Sequence, residues 1–135
     1  MKVLIIDGQG GGIGRQIVAM IKSELPETAV TVVGTNSTAT SAMLKAGADF
    51  AATGENAVLV NCRKADVIIG AIGIVIADSL MGEITPAMAA AVGQSEAKKI
   101  LIPINQCDNI VVGVPDLSMV KLIRNAVDII KDLFN

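Results

Sequence analysis

The stretch KVLIIDGQGGGIGRQIVAMIKSEL, residues 2–25, decides the fold, because a predicted strand runs through a glycine-rich loop into a predicted helix. Lys2–Asp7 is a short run of mainly β-branched apolar residues that ends at a glycine, which is typical of a buried parallel strand. From Ile13 the apolar residues recur at helical spacing as far as Leu25, and Pro26 predicts the end of that helix. This order indicates the first unit of a βαβ fold.

The rest of the chain alternates strands and helices in the same way. Short apolar runs predict further strands at residues 30–33, 48–52, 66–71, 99–104 and 110–114. Helical spacing and capping residues predict helices at residues 38–46 and 55–64, from Thr85-Pro86 onward, and from an Asp116 cap to about Phe134. The connection at residues 105–109 is too short for a crossover helix, so the last two strands are expected to pair antiparallel. We therefore expect an α/β, Rossmann-like three-layer sandwich with a mostly parallel sheet of five to six strands, an antiparallel edge and a single domain over residues 1–135.

The glycine loop between the first strand and helix is a candidate phosphate site. Glycine lets the backbone turn sharply and approach a ligand closely, and the following helix N-terminus offers free amides at the positive end of its dipole. The residues assigned to this site are Asp7, Gly8, Gln9, Gly10, Gly11, Gly12, Ile13 and Gly14. The alternative is a glycine-rich turn that only packs the helix on the strand.

The spacing of Gly8, Gly12 and Gly14, G-x-x-x-G-x-G, resembles the cofactor motif of the short-chain dehydrogenase/reductase superfamily. The resemblance covers the first two strands at most and implies a nucleotide-binding loop. Because the chain contains no tyrosine, the Tyr-x-x-x-Lys signature of that superfamily is absent, and the resemblance implies no catalytic chemistry.

The nucleotide is predicted from the residues after the second strand. A dinucleotide fold usually carries an acidic residue there for the ribose hydroxyls, whereas this chain has Thr35, Asn36 and Ser37. Their hydroxyl and amide groups favour a phosphate at the next helix N-terminus, and therefore NADP or a mononucleotide over NAD. The alternative is that Asn36 or Ser37 only caps that helix. For Asp7, a contact with a loop amide or a sugar hydroxyl is the favoured interpretation.

Small and polar residues also follow the later strands, whose carboxyl ends are expected to share one crevice with the glycine loop. The cofactor-binding candidates among them are Gly70, Ala71, Ile72, Gly73 and Asn105. Asp78 and Glu83, in the loop after the fourth strand, are candidate acid/base groups, or simply solvated loop carboxylates or a helix cap. Cys62 is expected in the core or on a helix face, and Cys107 in a polar loop.

Composition narrows the possible functions. The chain is 52% hydrophobic and 18% charged with a net charge of -2, so it is neither typical of disorder nor basic enough to predict nucleic-acid binding. No apolar run reaches the roughly 18 residues that span a bilayer, so no membrane partner is expected. Two cysteines predict no disulfide framework, and we expect a cytoplasmic protein. The chain has no histidine, which excludes Ser-His-Asp and Cys-His catalysis and His-bearing metal sites, and no metal is expected.

Several longer stretches resemble a family of small bacterial proteins known only as a domain of unknown function. They are IIDGQGGGIGRQIV at residues 5–18, residues 35–46, ATGENAVLVN at 52–61, MGEITPAMAAAV at 81–92 and KKILIPIN at 98–105. The resemblance covers nearly the whole chain. It implies a Rossmann-like fold and supplies no activity or catalytic residue.

The leading hypothesis is a nucleotide-binding protein with a non-catalytic or regulatory role, whose partner is a small-molecule nucleotide. The alternatives are an NADP-dependent oxidoreductase and a structural oligomeric subunit that retains the fold. The last helix has an apolar face wider than one sheet contact needs, with Leu122, Ile129 and Leu133 at its surplus edge. We therefore expect a homo-oligomer, namely a dimer, with this helix in the interface; the alternative is burial within the same chain.

Overall fold

A computed structural model describes residues 1–104 and 108–134 and shows a parallel sheet with helices on both faces. The strands are β1 (Lys2–Asp7), β2 (Ala29–Gly34), β3 (Phe50–Thr53), β4 (Val67–Ala71) and β5 (Lys98–Ile102). The helices are α1 (Gly12–Glu24), α2 (Ser37–Lys45), α3 (Glu55–Cys62), α4 (Pro86–Gln94) and α5 (Met119–Leu133), with a 3-10 turn at Ile72–Val75. The predicted α/β, Rossmann-like class is confirmed.

The sheet has the strand order β3-β2-β1-β4-β5, and all four neighbouring pairs are parallel. The chain leaves β1 toward β2 and β3 on one side and later returns to add β4 and β5 on the other. The switch point therefore lies between β1 and β4. In open sheets of this kind the crevice at the carboxyl ends of those strands is where ligands bind.

The predicted antiparallel edge is wrong, because residues 110–114 form no sixth strand. The run has β-branched composition, but Gly113 adopts a positive φ of 83° within it and Pro115 follows, and both interrupt a strand ladder. Ile110 and Val112 are almost fully exposed, so no burial of apolar side chains stabilises a strand there. The predicted Asp116 cap is also wrong, since the Ser118 side chain accepts from Lys121 N–H and caps α5.

Alternate residues of each strand enter two separate cores. On one face, Val3 and Ile5 of β1 pack with α1, Met43 of α2, and α5. On the other face, Leu4 and Ile6 pack with α3 and α4. Helices on both faces explain why the strands are continuously apolar rather than alternating. Within the described residues, no helix is long and apolar enough to cross a membrane.

Helix α5 closes the first core with one face and leaves an apolar edge outside. Ile123, Val127 and Ile130 are fully buried, whereas Ile129 and Leu133 are 47% and 41% exposed. Leu122, at the same predicted edge, is partly buried against the core.

Candidate functional site

The glycine loop connects β1 to α1 at the switch point of the sheet. Gly11 N–H donates to the Gly8 carbonyl at 3.0 Å, which folds the loop into a tight turn. Gly11 has a φ of 73°, a left-handed conformation that favours glycine, and it is the residue before the first turn of α1. A Cβ on Gly11 would lie 2.9 Å from the backbone of Ala39, so the loop also needs glycine here to pack against α2.

Three backbone amides of the loop, those of Gly10, Gly12 and Ile13, find no acceptor among the residues that the structure describes. Gly12 and Ile13 are the first two residues of α1, where helix geometry leaves the N–H groups unpaired. Together with the helix dipole, these amides form a cradle for an anion at the N-terminus of a 13-residue helix. We refer to the amides of Gly10, Gly12 and Ile13 as the amide cradle.

Asp7 holds the loop from beneath. Its buried carboxylate accepts from Gly8 N–H at 2.8 Å and from Gly14 N–H at 2.7 Å, which is the loop-amide contact favoured from the sequence. Burial raises the pKa of Asp7, and the nearby negative charge of Glu83 raises it further. The hydrogen bonds from Gly14 and Gly8 lower the pKa but do not cancel the effect of burial, so the pKa of Asp7 lies above its ordinary value. The carboxylate thus binds the amides of Gly8 and Gly14, which are then not available to a ligand. The amides of the amide cradle remain unpaired.

Asp7→Asn is expected to destabilise the protein by about 1 to 3 kcal/mol, because an amide side chain cannot accept from both backbone N–H groups. The pKa of Asp7 is higher in the folded protein than in the unfolded chain. The contribution of Asp7 to the free energy of unfolding is therefore fully present below its pKa in the unfolded chain, and it is lost as the pH rises through its pKa in the folded protein. The deficit of the variant should therefore be larger at pH 4 than at pH 7 in urea unfolding. A deficit that grows with pH would contradict this assignment.

Glu83 fastens the other side of the loop. Its carboxylate accepts from Gln9 N–H at 3.0 and 3.1 Å, from Thr35 Oγ1 at 2.7 Å and from Asn36 Nδ2 at 2.5 Å. Partial burial acts to raise the pKa of Glu83, but the hydrogen bonds from Thr35, Asn36 and Gln9 outweigh it and hold the pKa below the ordinary value. Glu83 is therefore an ionised acceptor that ties together the loops after β1, β2 and β4.

A cavity of about 240 Å³ opens on the β4 side of the glycine loop. The loop and the first turns of α1 form one wall, and the opposite wall comes from the end of β4, the following loop and the start of α5. The lining residues are Asp7, Gly8, Gln9, Gly10, Gly12, Ile13, Gln16, Ala71, Leu80 and Met119. A larger groove of about 810 Å³ lies between α3 and α4 beside Asp66 and Ala97, which precede β4 and β5. It is at the opposite end of the strands from the amide cradle.

The predicted site residues divide between this cavity and structural positions. Ala71 lines the cavity, whereas a Cβ on Gly70 would lie 2.7 Å from the Ile6 carbonyl, so Gly70 serves strand packing. Ile72 and Gly73 form the 3-10 turn that follows β4. Asn105, and likewise Cys107, lie outside the described residues.

The residues after β2 are on the other side of the loop from the cavity. Asn36 caps α2 through a bond from Ala39 N–H, which confirms the capping alternative for that residue. Ser37 is the exposed first residue of α2. Of the remaining candidates, Asp78 is exposed, and Cys62 is buried with a pKa that burial raises to about 11, as expected of a core thiol.

Three cavity residues, Gln16, Leu80 and Met119, were not anticipated. Gln16 follows Gly12 by one helical turn and so shares its face of α1, a spacing from which it could have been found. Its Nε2 donates to the Gly12 carbonyl and contacts Met119 Sδ at 3.3 Å. Leu80 and Met119 reach the cavity only through the folding of distant segments, and no local pattern indicates them.

The parallel sheet, its strand order and the glycine loop at the switch point define a Rossmann-like α/β protein with a candidate anion site at its first βα turn. The chain belongs to the family described as "Domain of unknown function (DUF3842)", which matches residues 2–135. No curated protein matches it. The family match does not support the short-chain dehydrogenase/reductase resemblance.

One solved structure similar to this chain is that of the dodecameric FMN-dependent Ubix-like decarboxylase from Escherichia coli O157:H7. The TM-score is 0.45 at 17% sequence identity, covering 97% of this chain and 76% of that chain. The flavin and the dodecamer are properties of that protein. Nothing in these comparisons supports NADP as a ligand of this chain.

Proposed function

We propose that this protein binds a nucleotide, with the phosphate on the amide cradle of Gly10, Gly12 and Ile13. The observation that carries the proposal is the set of three unpaired amides at the start of α1, beside a cavity at the switch point of a parallel sheet. Backbone amides and a helix dipole stabilise a phosphate without any cationic side chain.

The cavity favours a mononucleotide. Its volume of about 240 Å³ lies below the roughly 300 to 1,000 Å³ of sites that enclose drug-sized ligands, so it holds part of one nucleotide and has no room for a second. From the amide cradle it extends toward Ala71, Leu80 and Met119, whose apolar side chains suit a sugar or base. On the β2 side, the Glu83 carboxylate contacts Thr35 and Asn36, the groups expected to receive the 2′-phosphate of NADP. A carboxylate there repels such a phosphate, so NADP is disfavoured.

The proposed role is binding rather than catalysis. The polar side chains in the cavity wall are those of Asp7, Gln9 and Gln16. The Asp7 carboxylate is engaged by two backbone amides, and the glutamine amides do not exchange protons near neutral pH. Among residues 1–104 and 108–134, the cavity wall therefore offers groups that hold and orient a ligand and no free acid or base.

The absorbance spectrum and calorimetry test this function together. The chain has no tryptophan or tyrosine, so it absorbs weakly at 280 nm and a base retained through purification would dominate the spectrum. Titration with inorganic phosphate, AMP, GMP, UMP and FMN is expected to give binding by at least one mononucleotide, with competition by phosphate. If none of these ligands binds, or if excess phosphate leaves nucleotide binding unchanged, the proposal is wrong.

We also propose that the protein forms a homodimer through the exposed edge of α5. Ile129→Glu with Leu133→Glu is expected to convert a wild-type dimer into a folded monomer, because both side chains are already near half exposed in the single chain. Light scattering with circular dichroism measures both properties. Val120→Glu is the matched control, since Val120 is 61% exposed on the opposite side of the same helix. A monomeric wild type at micromolar concentration would contradict the proposal.

A further inference from the structure

We infer that Glu83 is a specificity residue that closes the β2 side of the glycine loop and so excludes the second half of a dinucleotide. The inference rests on the proposed phosphate site and states which nucleotide class that site accepts. In dinucleotide-binding folds the ligand lies across the switch point, with one nucleotide half on each side of the glycine loop. Only the β4 side of this loop opens into the cavity described above.

The β2 side is closed by direct contacts. A Cβ placed on Gly8 would lie 2.7 Å from Thr35 Oγ1 and 3.3 Å from Glu83 Oε1. It would also lie 3.1 Å from Leu80 Cδ1, so these three side chains cover the loop at Gly8. Neither Thr35 nor Glu83 lines the cavity. The glycine loop thus separates the open β4 side of the crevice from the β2 side, which Glu83 already occupies.

Glu83 is held firmly in this position. Its carboxylate receives hydrogen bonds from the backbone of Gln9 and from the side chains of Thr35 and Asn36, and Asn36 Nδ2 also donates to the Gln9 carbonyl at 2.9 Å. The supporting loop turns back on itself, with Asp78 N–H donating to the Ile84 carbonyl at 2.7 Å. A dinucleotide would have to break these contacts before its second half could enter.

Charge adds to the steric closure. A carboxylate at this place repels a second phosphate that approaches the loop from the β2 side, and rejection of a competing ligand by repulsion is a common source of specificity. A free nucleotide whose sugar and base extend toward β4 avoids this charge. The same phosphate site therefore accepts one nucleotide and rejects two joined through a pyrophosphate.

The test compares each mononucleotide that binds with a dinucleotide that contains it, by calorimetry on the wild type and on Glu83→Ala. The pairs are AMP with NAD⁺, FMN with FAD, and GMP or UMP with the corresponding dinucleoside pyrophosphate. For the pair whose mononucleotide binds, the wild type is expected to prefer the mononucleotide at least tenfold. In Glu83→Ala that preference should fall to threefold or less, because the dinucleotide binds more tightly. Asp78→Asn is the control, since it removes an exposed charge from the same loop while asparagine tolerates the left-handed conformation of that residue.

A wild type that binds the dinucleotide as tightly as its mononucleotide overturns the inference, and so does an unchanged preference in Glu83→Ala. If Glu83→Ala does not fold by circular dichroism, Glu83→Gln replaces it, because the amide keeps the length and loses the charge. In Glu83→Gln the preference for the mononucleotide over the dinucleotide should fall at least threefold relative to the wild type. An unchanged preference again overturns the inference. Failure of the proposed function is separate, because then no mononucleotide binds the wild type.

Discussion

Gly12→Asp is expected to weaken nucleotide binding about a hundredfold or more and to leave the fold intact. Gly12 is the first residue of α1, and a Cβ there would meet nothing within 4 Å, so the new side chain has room. An acidic residue in the first turn stabilises a helix by about 0.3 to 1 kcal/mol, so unfolding is not expected. Against the ligand, two like charges about 4 Å apart repel by about 4 kcal/mol at an effective dielectric of 20, more than the roughly 2.7 kcal/mol of a hundredfold loss.

Calorimetry with the mononucleotide that binds the wild type measures this loss, and thermal unfolding checks the fold. Gly12→Asn is the matched control, since it has the same size without the charge and should keep the affinity within about tenfold. If Gly12→Asp binds the nucleotide as tightly as the wild type, the phosphate lies elsewhere.

Gly34→Ala is expected to destabilise the protein by about 3 kcal/mol, at the upper end of what overpacking costs. Gly34 is the last residue of β2, and a Cβ there would lie 2.5 Å from the Thr40 backbone nitrogen and 2.8 Å from the Asn36 carbonyl oxygen. Both atoms belong to the start of α2, so relief requires a shift of that helix away from the sheet. The same shift would move Asn36 from its bonds to Gln9 and Glu83.

Urea unfolding measures the loss, and a thermal midpoint lower by about 10 °C is expected for a chain of this size. Gly93→Ala is the matched control, because Gly93 lies within α4 and a Cβ there would meet nothing within 4 Å. Alanine at such a helical position should stabilise the protein by up to about 1 kcal/mol. A cost below 1 kcal/mol for Gly34→Ala would show that α2 gives way more easily than its contacts suggest.

Local signals in the sequence were sufficient for most of the fold. The change from a strand run to helical spacing at the glycine loop predicted β1 and α1, and Thr85 with Pro86 predicted the start of α4. These features act over a few residues, through backbone preference, capping and the burial of one face, so a sequence pattern contains them. Residues 110–114 show the limit of that approach, since their β-branched composition favoured a strand that Gly113 and Pro115 prevent.

Only part of the candidate site could be predicted from the sequence. The glycine-rich loop predicted a phosphate site over residues 7–14, and this site stays a prediction. The amide cradle lies within that loop, because backbone amides that face one anion come from residues close together in sequence. The carboxylate that contacts Asn36 after β2 is that of Glu83, 47 residues further along the chain. Met119 reaches the cavity from the start of α5. Which of the two sides of the loop is open was decided by the tertiary structure alone. Hydrogen bonds and cavity walls depend on distances between segments that are remote along the chain, and those distances exist only after both faces of the sheet are covered.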